Sequence, residues 1–255
     1  MIRELIQYKE FLKTSVKKDI RGKYKGSFLG VLWSFINPLL SALIYAIVFP
    51  FILKNSQPHY VTFIVIGILP WTFYTTVISQ GTFSIIGNSS IIKKVYFPRQ
   101  ILPISAATSG LVNFLISLPI ALIFAIISGI GVSWHLIFLP IIILVQYILT
   151  LGIIFITSAI NVYVRDFEYV VTFITNLLFY ITPILYTSDI LPKDVGWILN
   201  INPMTSIVQG YRDILYYQRI PDFQSIFIVL GVGVVILFIG IKIFSKLQRR
   251  FAEEI

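Results

Sequence analysis

From Gln100 to Val164 the chain reads QILPISAATSGLVNFLISLPIALIFAIISGIGVSWHLIFLPIIILVQYILTLGIIFITSAINVYV, without one Asp, Glu, Lys or Arg. A bilayer core about 30 Å thick takes roughly 20 apolar residues per helix. The run is long enough for two helices, and Gly129 and Gly131 mark the turn between them. A soluble domain does not go uncharged for so long, so the stretch identifies an integral membrane protein. The same gaps recur on both sides of it. Lys25 and Lys54 bracket one, Asn55–Ile92 is another, and Glu168 with Asp189 and Asp222 with Lys242 bracket two more. They predict an all-α integral membrane fold of six transmembrane helices. The spans fall at about Leu29–Leu53, Tyr60–Ile85, Ile101–Ile127, Trp134–Val162, Tyr169–Tyr186 and Phe223–Phe244.

Composition agrees. Of 255 residues 57% are hydrophobic and only 12% charged. Six spans use more than half of that length, which leaves no room for a separate soluble domain of ordinary size. The expectation is one membrane domain over 1–255. Within it, 1–27 form a cytoplasmic amphipathic helix, 28–186 hold spans one to five, and 187–222 hold short outer helices. Span six takes 223–245 and a cytoplasmic tail 246–255. Cysteine is absent, which excludes disulfides and thiolate metal sites. His59 and His135 are too scattered to suggest a metal centre.

Enzyme motifs are missing. There is no G-x-x-x-x-G-K-[ST], so no P-loop, and no H-E-x-x-H or G-x-S-x-G. No catalytic residue is assigned. Asn88-Ser89-Ser90 matches a glycosylation sequon, but it falls on the side read below as cytoplasmic and is taken as chance. No ionisable residue is expected in mid-membrane, which argues against an ion-coupled carrier and a voltage sensor. Gly26-x-x-x-Gly30 heads span one and is a weak signal for helix packing.

The chain starts with charge rather than a secretory signal. Leu5, Tyr8, Leu12, Val16 and Ile20 have helical spacing, with Lys9, Lys13 and Lys17 on another face. That predicts an amphipathic helix over Ile2–Ile20, lying in the membrane interface. It suits a membrane anchor and a docking surface equally. With the N-terminus inside, sixteen Lys and Arg fall on cytoplasmic segments and four, Lys54, Lys193, Arg212 and Arg219, on outer ones. The positive-inside rule therefore puts both termini in the cytoplasm. The net charge of +9 is an orientation and lipid-surface signal, and no nucleic-acid partner is expected.

Two connections exceed what a bare bundle needs. The inner one, Ile91–Arg99, is IIKKVYFPR. A plain positive-inside loop explains Lys93, Lys94 and Arg99. Tyr96, Phe97 and Pro98 point instead to a helix seated in a partner's groove. The outer one, Thr187–Pro221, is long for a loop. It predicts short helices at about Val195–Asn200 and Pro203–Tyr217, dipping back into the outer leaflet or lying on it, either as a cap at the outer mouth of a pathway or as an interfacial belt held by Trp197, Tyr211 and Tyr216.

Four segments in order carry a resemblance. RGKYKGSFLGVLWSFINP over Arg21–Pro38 resembles the start of the first span in type-2 ABC exporter permeases of the polysaccharide family, which export O-antigen, capsule or wall teichoic acid. KKVYFPRQILPIS over Lys93–Ser105 resembles that family's loop between spans two and three. Val164-Arg165-Asp166 resembles its inner loop between spans four and five. Asn202-Pro203-Met204-Thr205 with Gly210-Tyr211-Arg212 resembles its outer region before the last span.

The resemblance implies a subunit of the bacterial cytoplasmic membrane that forms a homodimer with two copies of a separate ABC ATPase. ATP and Mg would bind that partner, and this chain would hold no cofactor. Lys93, Lys94, Tyr96, Phe97, Pro98 and Arg99 would couple to the ATPase, helped by the N-terminal helix. A lipid-linked glycan would pass along the dimer interface, lined by spans one and five. Sugar C–H faces stack on aromatic rings without a fixed charge. Trp33, Phe35, Tyr45 and Phe49 on span one, and Phe173, Phe179, Tyr180 and Tyr186 on span five, are the candidates, against the plainer reading of lipid-facing or packing rings. Tyr45 and Tyr180 stand out, because a mid-span hydroxyl wants a partner that lipid does not give. A type-2 exporter of lipids or drugs stays open as an alternative. So does a membrane enzyme of lipid-linked glycan synthesis, which would need a carboxylate or His cluster at one face.

Overall fold

A computed structural model describes residues 8–24, 26–53, 57–187 and 197–255. Among the described residues every regular element is helical. The main helices are α1 (Lys9–Tyr24), α2 (Trp33–Leu53), α3 (Tyr60–Phe83), α4 (Ile101–Ile127) and α5 (Leu139–Tyr163). They continue as α6 (Phe167–Ile181), α7 (Trp197–Ile201), α8 (Pro203–Leu215) and α9 (Phe223–Leu247). Among the described residues, four helical stretches are long and apolar enough to cross a membrane: Tyr60–Phe83, Ile101–Ile127, Trp134–Tyr163 and Phe223–Arg250.

The expected span at Ile101–Ile127 matches α4 at both ends. The expected span Tyr169–Tyr186 does not match. Helix α6 has 15 residues and ends at Ile181. At 1.5 Å per residue it covers about 22 Å, less than a bilayer core. Pro183 stops it, because proline brings no N–H to the ladder and clashes with the preceding turn. Residues 182–186 continue as turns and bends. The N-terminal part of the amphipathic helix expected over Ile2–Ile20, residues 1–7, lies outside the described residues, as do 188–196 of the outer connection.

Helix α3 is the axle of the bundle. Apolar residues surround it, and most of its length is buried, from Thr62 to Thr82. A helix apolar all round belongs inside, and α2, α4, α5, α6 and α8 all pack on it. Helix α9 is one-sided. Ile226, Val229, Gly233, Gly240 and Phe244 form its buried stripe, while Phe227, Ile228, Val235 and Phe238 are exposed. That stripe meets α5 at close range. A Cβ on Gly152 would lie 2.6 Å from the Leu237 backbone nitrogen, and one on Gly240 would lie 2.6 Å from the Gly152 carbonyl oxygen. Between membrane helices, where apolar burial drives little, such small residues let the backbones touch.

Gly26 and Gly30 do not serve that purpose. Both have positive φ, 79° and 50°, and a Cβ on either would meet nothing within 4 Å. They shape the turns ahead of α2 and form no packing pair.

Polar side chains stitch α3 to α5. Thr82 Oγ1 donates to Thr157 Oγ1 at 2.7 Å, and Asn161 Nδ2 donates to Thr82 O at 3.3 Å. Gln146 Nε2 donates to Pro70 O at 2.8 Å. These groups are buried, and each bond relieves a desolvated polar atom.

Candidate functional site

Three regions hold the residues singled out above. At one end of the bundle, Ile85, Ile92, Phe97, Leu102, Phe155, Val162, Phe244 and Phe251 form a separate apolar cluster, with Phe11 of α1 against it. The expected coupling segment crosses this floor. Only Ser89–Ile92 is helical, a single turn, and 93–98 run as turn and coil. Phe97 does not face outward. It is buried, with its ring 4.8 Å from that of Phe11. Pro98 after it forbids continuation of a helix backwards through Phe97, so the chain drops its ring onto α1 instead. Tyr96 is the projecting residue, 92% exposed. Lys93 and Lys94 are exposed beside it. Arg99 turns inward, donating to the Gln248 carbonyl with its guanidinium 6.0 Å from the Phe251 ring centre. Of the six coupling candidates, Tyr96, Lys93 and Lys94 remain available to a partner. Phe97 and Arg99 brace the loop from behind. The bracing ring Phe11 was not singled out in the sequence, although its helical offset from Tyr8 puts it on the same face.

Helix α1 lies along α4. Asp19 Oδ2 accepts from Ser105 Oγ at 3.0 Å, and Lys18 Nζ donates to Asn88 Oδ1 at 3.2 Å. Partial desolvation raises the Asp19 carboxyl above its ordinary value of 3.8, although the residue keeps an exposed edge. Desolvation outweighs the Ser105 hydrogen bond and the nearby Lys18 charge.

The second region is aromatic. Tyr45 of α2 lies 5.6 Å from Phe179 of α6 with the rings tilted by 34°, and meets Phe49 edge-on at 5.8 Å. Phe179 also touches Tyr180 and Trp71 of α3. Tyr186 donates to Ile181 O at 2.9 Å and to Tyr180 O at 3.1 Å. Of the eight aromatic candidates, Tyr45, Phe49, Phe179 and Tyr180 thus gather between α2 and α6, and Tyr186 folds back on the end of α6. Trp33 does not join them. It lines a cleft of about 150 Å³ between α2, α3 and α4, with Asn37, Thr72 and Thr76. Tyr180 is 71% exposed, whereas Tyr45 is half-buried among rings. Down the open face of α6 run Tyr169, Thr172, Phe173, Asn176 and Tyr180, all exposed. A membrane helix facing only lipid has no use for an exposed Asn at its middle.

The third region puts charge inside the bundle. Helix α8 is not a surface belt. Met204, Ile207, Val208, Gly210, Tyr211, Arg212, Asp213 and Ile214 are buried, against α3, α5 and α9. Arg212 is 1% exposed. It abuts Gly67, where a Cβ would come within 2.8 Å of Nη2. Gly67 is seven residues into α3, about 10 Å below its start. Tyr211 OH donates to Gln146 Oε1 at 2.9 Å. Asn202 caps α8, accepting from the Met204 N–H at 3.0 Å. Asp213 accepts from Arg219 at 2.8 Å.

The described residues form a helical bundle with a basic loop at one end and a tucked-in helix at the other, an arrangement that suits a membrane transport subunit. The chain belongs to the ABC-2 type transporter family, whose model matches residues 10–216, and it is a multi-pass membrane protein. It is similar to the O-antigen export system permease protein RfbA of Myxococcus xanthus, 35% identical over 257 residues, 100% of this chain and 99% of that one. Two Klebsiella pneumoniae proteins of the same name are 36% and 37% identical, each over 96% of this chain and 94% of their own.

Proposed function

We propose that this chain is the permease subunit of an ATP-driven exporter of a lipid-linked polysaccharide of the O-antigen, capsule or teichoic acid type. The observation that carries the proposal is end-to-end similarity to relatives named for O-antigen export. Helices α2, α3, α4, α5, α6 and α9 are then six spans, with both termini in the cytoplasm of a bacterial inner membrane. The 15-residue α6 reaches across by way of the bend at 182–186, whose backbone is buried in protein as a membrane requires.

Two copies pair along α2 and α6 and work with two ATPase subunits, which bind ATP and Mg. Tyr96, Lys93 and Lys94 meet the ATPase, and the packed floor beneath them passes its movement to α1 and α9. The Tyr45–Phe179–Tyr180 cluster and the mixed face of α6 support a sugar path, since they offer rings for stacking and amide and hydroxyl groups for hydrogen bonds. Helix α8 shapes the outer mouth.

Depleting the chain from its native cells tests the reading. Lipid-linked glycan should accumulate in the cytoplasm and return to the surface on re-expression. Unchanged surface glycan in depleted cells would contradict it.

A further inference from the structure

Helix α6 ends at Ile181, and the four residues after it, Thr182 to Leu185, are buried without being helical. The Thr182 and Ile184 N–H groups bond locally, to Leu178 O and Thr182 O, but the carbonyls from Pro183 to Leu185 take partners from elsewhere. Asn202, the cap of α8, donates from Nδ2 to Thr182 Oγ1 at 2.8 Å. Arg212 donates from Nη1 to Pro183 O at 2.5 Å and from Nη2 to Ile184 O at 2.6 Å. Tyr60 of α3 donates to Leu185 O at 2.6 Å. One side chain, Arg212, thus holds two consecutive carbonyls of the bend, with its guanidinium 3.5 Å from the Phe63 ring centre. Its Nε has no partner, and the adjacent Asp213 is committed to Arg219 and Gln209.

A buried cation with a spare donor is a costly way to fill space. A leucine would fill it without that cost. What the guanidinium adds is direction, because its planar fork presents two parallel donors that a lysine's single ammonium cannot. The bend has no helix ladder to stiffen it, so this fork fixes the angle at which α6 leaves the bundle relative to α8.

We propose that Arg212 is the positioning residue that fastens the end of α6 to α8, so that the glycan face and the outer mouth move as one body. The proposal rests on the export reading and adds to it. As α6 shifts in the ATPase cycle, Tyr180 and Tyr186 shift with it. The same two carbonyls carry α8 along, and the exit opens in step with the path.

The native chain has no cysteine, so reporters are clean. Cysteines replace Thr187, past the bend, and Ser206, on α8, one at a time in the assembled complex with its ATPase. Labelling by an impermeant maleimide is followed with and without a non-hydrolysable ATP analogue. With Arg212 present, both rates should change together on adding nucleotide. In Arg212→Lys, assembly and ATP hydrolysis should persist, the Ser206 site should stop responding, and export should fall about tenfold or more. If Arg212→Lys does not assemble, Gly67→Ala keeps the charge and crowds Nη2 out of place. It should give the same split. Joint responses and normal export in the assembled variant overturn the proposal, and so do sites that never respond in the parent. A parent that moves both sites together yet exports no glycan overturns the export reading and leaves the clasp supported.

Discussion

Tyr96 and Phe97 are adjacent in the chain and opposite in surroundings. One ring is 92% exposed and the other is buried on Phe11. Phe97→Ala should therefore cost about 3 kcal/mol of stability through the cavity it leaves, read as a lower melting temperature and a loosened α1. Tyr96→Ala should leave the melting temperature unchanged and produce a complex that hydrolyses ATP without exporting. A full export rate in Tyr96→Ala would remove it from the coupling surface. The two tyrosines of the proposed path divide in the same way. Tyr180→Leu should abolish export at an unchanged melting temperature. Tyr45→Leu should lower both, since Tyr45 packs against Phe49 and Phe179. Asp19 gives a pH signature. Its carboxyl is raised by partial desolvation, so the folded chain holds a proton that the unfolded chain has released. Stability then falls as pH rises through the window just above 3.8. Asp19→Asn should flatten that slope in unfolding curves taken between about pH 4 and 7. None of these divisions was legible in the sequence. Two aromatics before a proline have no period to say which one turns in, and Tyr45 and Tyr180 share a residue type but not a neighbourhood.

Among the helices, the bilayer made most of the layout readable. It demands uninterrupted apolar length, so the starts of α4 and α9 fall where the charge gaps put them, and the end of α4 falls just before Gly129. It says nothing of which faces meet. The close contact of α5 with α9 depends on Gly152 and Gly240, and one glycine among many apolar residues carries no label. Gly152→Ala would place a methyl 2.6 Å from the Leu237 backbone, where no side chain is free to swing aside. It should cost about 2 kcal/mol by overpacking, measured as a fall in melting temperature. Gly231→Ala is the control, since its Cβ meets nothing within 4 Å, and it should not destabilise. Helix α8 was the hardest element to place. Its sequence, with Arg212 and Asp213 among apolar residues, left a re-entrant and a surface placement equally open. Only the structure shows that the bend after α6 supplies carbonyls for the arginine, and that Arg219 reaches back to the aspartate.

For the molecule as a whole, the proposed orientation sets which end would meet the ATPase and which would release the glycan. A cysteine at Ile220, exposed between α8 and α9, should react with an impermeant thiol reagent outside intact cells. One at Glu253 should not, and the reverse pattern would invert every assignment of inner and outer. Transport itself can be read in inside-out vesicles holding the chain and its ATPase, with lipid-linked polysaccharide supplied to the outer leaflet. On adding ATP, the glycan should become protected from an added glycan-degrading enzyme as it passes into the lumen. Tyr96→Ala vesicles should hydrolyse ATP and protect nothing. Glycan that stays fully digestible while the unaltered complex consumes ATP would contradict the export function.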